Sequence, residues 1–353
     1  MNIQLKSGKT PVTGNGLLQT QNVIRDYVLL NISDKLSAFA HDKGLLDKSK
    51  KNNDAAYLLY SAAQKQDKLK QASLLATAKK NAQAIRFRYK LEEKDDAKKM
   101  FAGINVNALI ADYKRTKASW YPIGFPVFPT IKAAKKLNLY LTNLHCVDET
   151  NELPNWVPFN ESGSDEIVLG GTAILSDAET GTLTRYSEGG FDDNDWSTTL
   201  TGSNERLLYQ YSLATLQPGV FSAAITLIEE DEGGASKILA DINDAVGKEI
   251  KKALEELGKV AGAAIATVFG GGEAVKKVLG EILAWILGSI FDTLIGGIIN
   301  ALHDDYIDTQ TATVTLPSFL SNFSGSNRSS EQKLTFSGGR GKYEVYYQWE
   351  LVF

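Results

Sequence analysis

Carboxylates are the side chains most ready for chemistry in this sequence, and they come in clusters. The turn GGFDDNDW, residues 189–196, sets Asp192, Asp193, Asn194 and Asp195 side by side between two glycines and a tryptophan. Three more stretches share that composition: VDETNE (147–152) with Asp148 and Glu149, SGSDE (162–166) with Asp165 and Glu166, and IEEDEGG (228–234) with Glu230 and Asp231. Crowded carboxylates repel one another unless a cation or a basic partner neutralises them. Ca2+ suits such loops best, because it takes about six to eight oxygen ligands in irregular geometry. His41, His145 and His303 are too few and too scattered to favour a transition metal. The expected cofactor is Ca2+, with Asp148, Glu149, Asp165, Glu166, Asp192, Asp193, Asp195, Glu230 and Asp231 as candidate ligands. The plainer alternative is that acidic residues at loop tips start turns and keep a surface solvated.

One site can form only if the four clusters meet, so the elements between them matter. From residue 137 the chain carries short apolar runs at 137–147, 166–175, 182–188, 206–213 and 221–228, separated by Gly, Asp, Asn and Pro. Two further runs follow at 311–317 and 343–353. Such spacing predicts an antiparallel β-sandwich or barrel. In YEVYYQWELVF the residues Tyr343, Val345, Tyr347, Trp349, Leu351 and Phe353 share one face, which predicts a half-buried strand ending in the core. If successive strands alternate in direction, every acidic cluster falls at the same end. An extra strand at STTLTG (197–202) would invert the last of them.

Acidic loops gathered at one end of a sandwich resemble the C2-like calcium-binding domains, over residues 137–234 and the last two strands. That resemblance implies Ca2+ held by the loops and engagement of phospholipid. A long helical insertion, residues 235–303, departs from that family.

Helical patterns dominate elsewhere. Residues 17–40 space Val28, Ile32, Leu36 and Phe39 at three and four, and 53–100 is rich in Ala, Lys, Gln and Leu. A third helix fits 101–120, and YPIGFPVFPT (121–130) places three prolines in ten residues. The expected fold class is α+β and multidomain. A helical hairpin or bundle (1–120) and a Pro-rich linker (121–136) precede a β-sandwich (137–353) with its helical insertion.

Within the insertion, 278–302 has only Glu281 and Asp292 charged among 25 residues. At about 1.5 Å per residue it could cross a hydrocarbon layer of about 30 Å. With VAGAAIATVFGGG (260–272) before it, the region resembles the hydrophobic hairpins of pore-forming toxins. That resemblance implies membrane contact through Leu283, Trp285, Ile286, Ile290, Phe291 and Leu294. The plainer alternative is a helix packed on the sandwich with Glu281 and Asp292 on its wet edge.

Charge is uneven: the first 120 residues hold 22 Lys+Arg against 11 Asp+Glu, whereas the whole chain has a net charge of −4. The basic part is read as a solvated helix face, because no nucleic-acid motif accompanies it, and no specific nucleic-acid partner is expected. Cys146 is the single cysteine, which excludes an internal disulfide and predicts an inert buried thiol. MNIQLKSGKTPVTGNG lacks an apolar h-region, so the expectation is export without a cleavable Sec signal, or else a cytoplasmic protein. GGRG (338–341) and FGGG (269–272) lack the Lys-Ser/Thr of a P-loop, and neither a serine nucleophile elbow nor HExxH occurs.

The expectation is therefore a non-enzymatic, membrane-active effector or toxin-like protein, with a phospholipid membrane as partner. The alternative is a structural or adhesive component of an extracellular assembly, in which the chain self-associates or meets an assembly partner and the sandwich displays a binding face.

Overall fold

A computed structural model describes the chain except residues 1–2, 9–13, 40, 53, 67, 94, 121–132, 151–163, 177–178, 201–203, 215, 217, 231–234, 270–271, 273, 277, 284–304 and 339–340. In chain order a short strand β1 (Gln4–Ser7) precedes helices α1 (Asn15–Ala38), α2 (Lys43–Asn52), α3 (Ala55–Gln66) and α4 (Lys68–Tyr89). A 3-10 stretch (Ala97–Gly103) and α5 (Val106–Trp120) follow. Next come β2 (Lys136–Asp148), β3 (Asp165–Ile174), β4 (Thr180–Thr182), β5 (Tyr186–Phe191), β6 (Arg206–Ser212) and β7 (Gly219–Glu229). Helix α6 (Ala235–Phe269) then leads to β8 (Asp305–Leu316), β9 (Gln332–Gly338) and β10 (Gly341–Val352). The fold is α+β, and its sheets are antiparallel.

A six-stranded sheet runs β1-β8-β7-β3-β4, with β5 also paired to β3, and a four-stranded sheet runs β6-β2-β10-β9. Strand β10 behaves as its period of two predicts. Tyr343, Val345, Tyr347, Trp349 and Leu351 are fully buried, while Glu344, Tyr346, Gln348 and Glu350 on the other face are partly exposed. One hydrophobic cluster joins these inward residues to Leu137, Leu139 and Leu141 of β2 and to Ile167, Leu169, Phe221 and Ile225 of the six-stranded sheet.

Burial on β7 is continuous rather than alternating, because both of its faces are covered. Its other face gives Val220, Ala224 and Ile228 to a second cluster, together with Val168 and Ile174 of β3 and the apolar residues of the helices. Helix α6 crosses this face against β3 and β4, and also meets α1 and α3. Helix α1 is buried nearly all round, as Ile24, Val28 and Leu30 show, which fits a helix with neighbours on several sides. Its first turn touches α5 so closely that a Cβ on Gly16 would lie 2.2 Å from the Leu109 nitrogen. There Asp112 accepts hydrogen bonds from the amides of Gly16 (2.7 Å) and Leu17 (3.2 Å), doing for α1 what a capping residue normally does.

Strand β1 pairs with β8, Leu5 opposite Val314, so the chain enters the sheet before it builds the helices. Most of the Pro-rich segment expected as a linker, residues 121–132, lies outside the described residues. The segment 197–200 is not a strand, and the feared inversion of strand direction does not occur.

Candidate functional site

The strand directions bring the acidic clusters to one end. Strand β2 ends at Asp148, β3 starts at Asp165, β5 ends beside Asp192 and β7 ends beside Glu230. Asp148, Glu166, Asp192 and Asp193 are exposed, whereas Asp165 is buried. Asp231 lies outside the described residues.

Three of these acids, Asp165, Asp193 and Asp195, cap the turns. The Glu149 amide donates to Asp193 (2.9 Å), and the Asp192 amide donates to Asp195 (3.1 Å). Asp165 accepts from the amide (2.7 Å) and hydroxyl (2.9 Å) of Thr150 and from the buried Tyr343 hydroxyl. The Glu230 amide donates to the Glu166 carbonyl (2.7 Å), and the Glu230 carboxylate meets Arg185 at 3.4 Å. A carboxylate accepting backbone N–H groups is satisfied without a cation. Among the described residues, no group of three or more His, Cys, Asp or Glu side chains is placed to hold a metal ion. Cys146 is buried beneath this end, where burial pushes its thiol up to about 12, as an unreactive core thiol requires.

The acidic turn delivers the tryptophan that closes it. Asn194 takes a left-handed conformation (φ 64°) that lets the chain double back. The Cys146 amide then bonds the Asp195 carbonyl (2.8 Å) and the Ser197 amide bonds the Leu144 carbonyl (2.8 Å), fixing Trp196 opposite His145 of β2. On the far side Glu188 grips residues 197–199. It accepts from the Thr198 amide (2.7 Å), the Thr199 amide (3.1 Å), the hydroxyls of Ser197 (2.5 Å), Thr198 (2.8 Å) and Thr199 (3.1 Å), and the Tyr186 hydroxyl. Burial alone would raise the Glu188 carboxyl, but the hydrogen bonds from Ser197, Tyr186 and Thr198 outweigh it and hold the group at about 2.

Trp196 is therefore fixed on both sides yet 47% exposed. Its ring stacks on His145, with centroids 4.2 Å apart and planes 13° apart, and lies 5.5 Å from Tyr346 of β10. Glu344 accepts from Lys333 (2.6 Å) and Tyr346 (2.8 Å) and stands 3.4 Å from His145 Nδ1. The Lys333 ammonium, with those two neighbours, holds the Glu344 carboxyl at about 2, so it is charged beside the stack.

The same face continues along the sheet. Tyr140 lies opposite Gln348, with the Arg328 guanidinium 5.1 Å above its ring. Asn138 donates to the Tyr140 hydroxyl (3.1 Å) and to Glu350 (3.3 Å), and accepts from Gln210 (3.0 Å). Outward residues of β10 stand about 7 Å apart, so rings, amides and carboxylates form a row along the outer face. The inward set of β10 is the stronger sequence signal. The outward set carries a fainter one, an aromatic among Glu and Gln, and Trp196 becomes informative only once it pairs with His145.

The apolar insertion is described only at its start. Leu283 is fully buried in the helical cluster. Glu281 is fully buried too, and this corrects its expected place on a wet edge: Val278, Leu279, Ile282 and Leu283 around it are all inside, and the Tyr113 hydroxyl of α5 donates to its carboxylate at 2.6 Å. Trp285, Ile286, Ile290, Phe291, Asp292 and Leu294 lie outside the described residues. Among the described residues, no helix is long and apolar enough to cross a membrane.

Comparison with protein-family models, with curated proteins and with solved structures finds no match to this chain.

Proposed function

We propose that the chain is a non-enzymatic glycan-binding protein of adhesive type. In this reading the two sheets form a β-sandwich, and the outer face of the four-stranded sheet is its binding platform. The observation that carries it is Trp196, left half-exposed while two turns immobilise it. Exposing an indole wastes apolar surface unless something covers it, and fixing it in advance lowers the ordering cost of binding. A pyranose has an apolar C–H face that fits an aromatic ring and a hydroxyl edge that fits amides and carboxylates. Trp196 and Tyr346 supply the rings, and Glu344, Gln348 and Glu350 supply the edge partners.

Charge favours a neutral glycan over an anionic surface. Asp192, Asp193, Asp195 and Glu344 flank the stack, and they repel nucleic acid and anionic lipid headgroups. A C2-like reading would place Ca2+ at the acidic end instead. The use of those carboxylates as turn caps supports the aromatic face over that end.

Electrophoresis through gels containing neutral polysaccharides, together with a glycan array, tests the proposal. Wild type is retarded by at least one glycan, and Trp196→Ala loses about tenfold or more in affinity, equivalent to about 1.4 kcal/mol. Wild type running unretarded in every gel and silent on the array would remove the proposal.

Membrane insertion of 278–302 stands as a second reading, supported by the buried Glu281–Tyr113 hydrogen bond, which stores the start of that segment inside the helical layer. Dye release from liposomes tests it, and wild type that never permeabilises a membrane would end it.

A further inference from the structure

Helices α1, α3 and α4 line a cleft of about 380 Å³, open to solvent on one side, that the glycan reading does not use. Ile32, Leu36, Leu59 and Leu74 form its walls, and Arg25 and Arg88 stand among its lining residues. Both guanidiniums converge on Asp26, which is 1% exposed: Arg25 donates through Nε at 2.9 Å and also meets it at 2.8 Å, and Arg88 pairs with its other oxygen. The Tyr89 hydroxyl adds a 3.2 Å bond to that second oxygen.

The charges do not cancel. Two arginines face one carboxylate, leaving a net positive charge beside an apolar hollow. Asp26 also fixes where that charge sits, because a buried carboxylate with several donors holds both guanidiniums in place. Arg88 gives one N–H to Asp26 and is 55% exposed, so most of its donor fork faces outward. A cleft of this size lies within the range of about 300–1,000 Å³ seen for small-molecule sites.

We propose that this cleft binds a single-chain amphipathic anion of the fatty-acid class, its chain among the leucines and its carboxylate on Arg88 and Arg25. A cationic amphiphile of the same length meets the wrong charge, and an uncharged one lacks the partner that the arginines supply.

Calorimetric titration of the full chain with decanoate, decanol and decyltrimethylammonium, each below its aggregation concentration, tests the proposal. Decanoate binds at one site, decanol about tenfold or more weaker, and the cation gives no saturable heat. Arg88→Gln, at an exposed position, lowers decanoate affinity about tenfold toward that of decanol and leaves decanol unchanged. Ala78→Leu fills the cleft and removes both. If that variant does not fold, the arginine variant alone decides. The proposal is overturned if decanoate gives no saturable binding, if anion and cation bind alike, or if Arg88→Gln binds decanoate as wild type does.

Discussion

The two sheets differ in what covers them. The six-stranded sheet shares one hydrophobic cluster with the helices and another with the four-stranded sheet, and β7 in its middle is buried at every position. The four-stranded sheet gives only one face to the core, and β10 alternates between fully buried and partly exposed residues along its length. A strand enclosed on both sides answers only to packing. A strand with one open face can carry polar and aromatic groups that the fold itself does not need. Trp196, His145 and Tyr346 gather on that open face, and the acidic turns beside them serve to aim the indole.

The largest expected contrast is between the two faces of β10. Trp349→Ala empties a fully buried site and should cost about 3–5 kcal/mol, whereas Tyr346→Ala, on the open face, should cost under about 1 kcal/mol. Urea unfolding midpoints measure both, and similar losses would erase the distinction between the faces.

Glu188→Ala should come next. It removes the acceptor of the hydrogen bonds around 197–199 and should destabilise by about 1–3 kcal/mol. The loss should also broaden the NMR indole signal of Trp196, because one of its two anchors is gone. A pH series isolates the carboxylate. The folded group is lowered to about 2, so its contribution is complete above the ordinary carboxylate range and fades as pH falls toward 2. Glu188→Gln should flatten that part of the stability curve, and a slope identical to wild type would show that Glu188 does not clamp the turn.

Calcium should have the smallest effect. Asp165, Asp193 and Asp195 already accept backbone amides, so millimolar Ca2+ should leave the melting temperature within about 1 °C. Occupancy far above a dissociation constant would add about 2.7 kcal/mol and several degrees. A rise of that size, abolished in Asp192→Asn/Asp195→Asn, would return the acidic end to a metal site.

Part of this was legible in the sequence because its physics is local. The period of two in 343–353 marks the inward face of β10, and turn residues between short apolar runs set strand direction, which puts the acidic clusters at one end. Other features depend on partners far along the chain. QLKS in β1 has no apolar alternation, and β8 makes it a strand. The run FSAAITLI reads the same whether one face or two are covered, so the two-sided burial of β7 waited on the helices. Glu281 reads as a wet-edge residue until Tyr113, 168 positions away, supplies its donor. Trp196 reads as the end of a turn until the chain folds it onto His145.

If Trp196 is a fixed binding group rather than a leftover of packing, its loss should remove glycan binding. Retardation in a polysaccharide gel, compared among wild type, Trp196→Ala and Asp195→Ala at matched thermal stability, tests it most directly. Trp196→Ala should lose retardation, and Asp195→Ala, which keeps the indole but frees its turn, should fall between it and wild type. Retardation unchanged in Trp196→Ala would contradict that role for the indole.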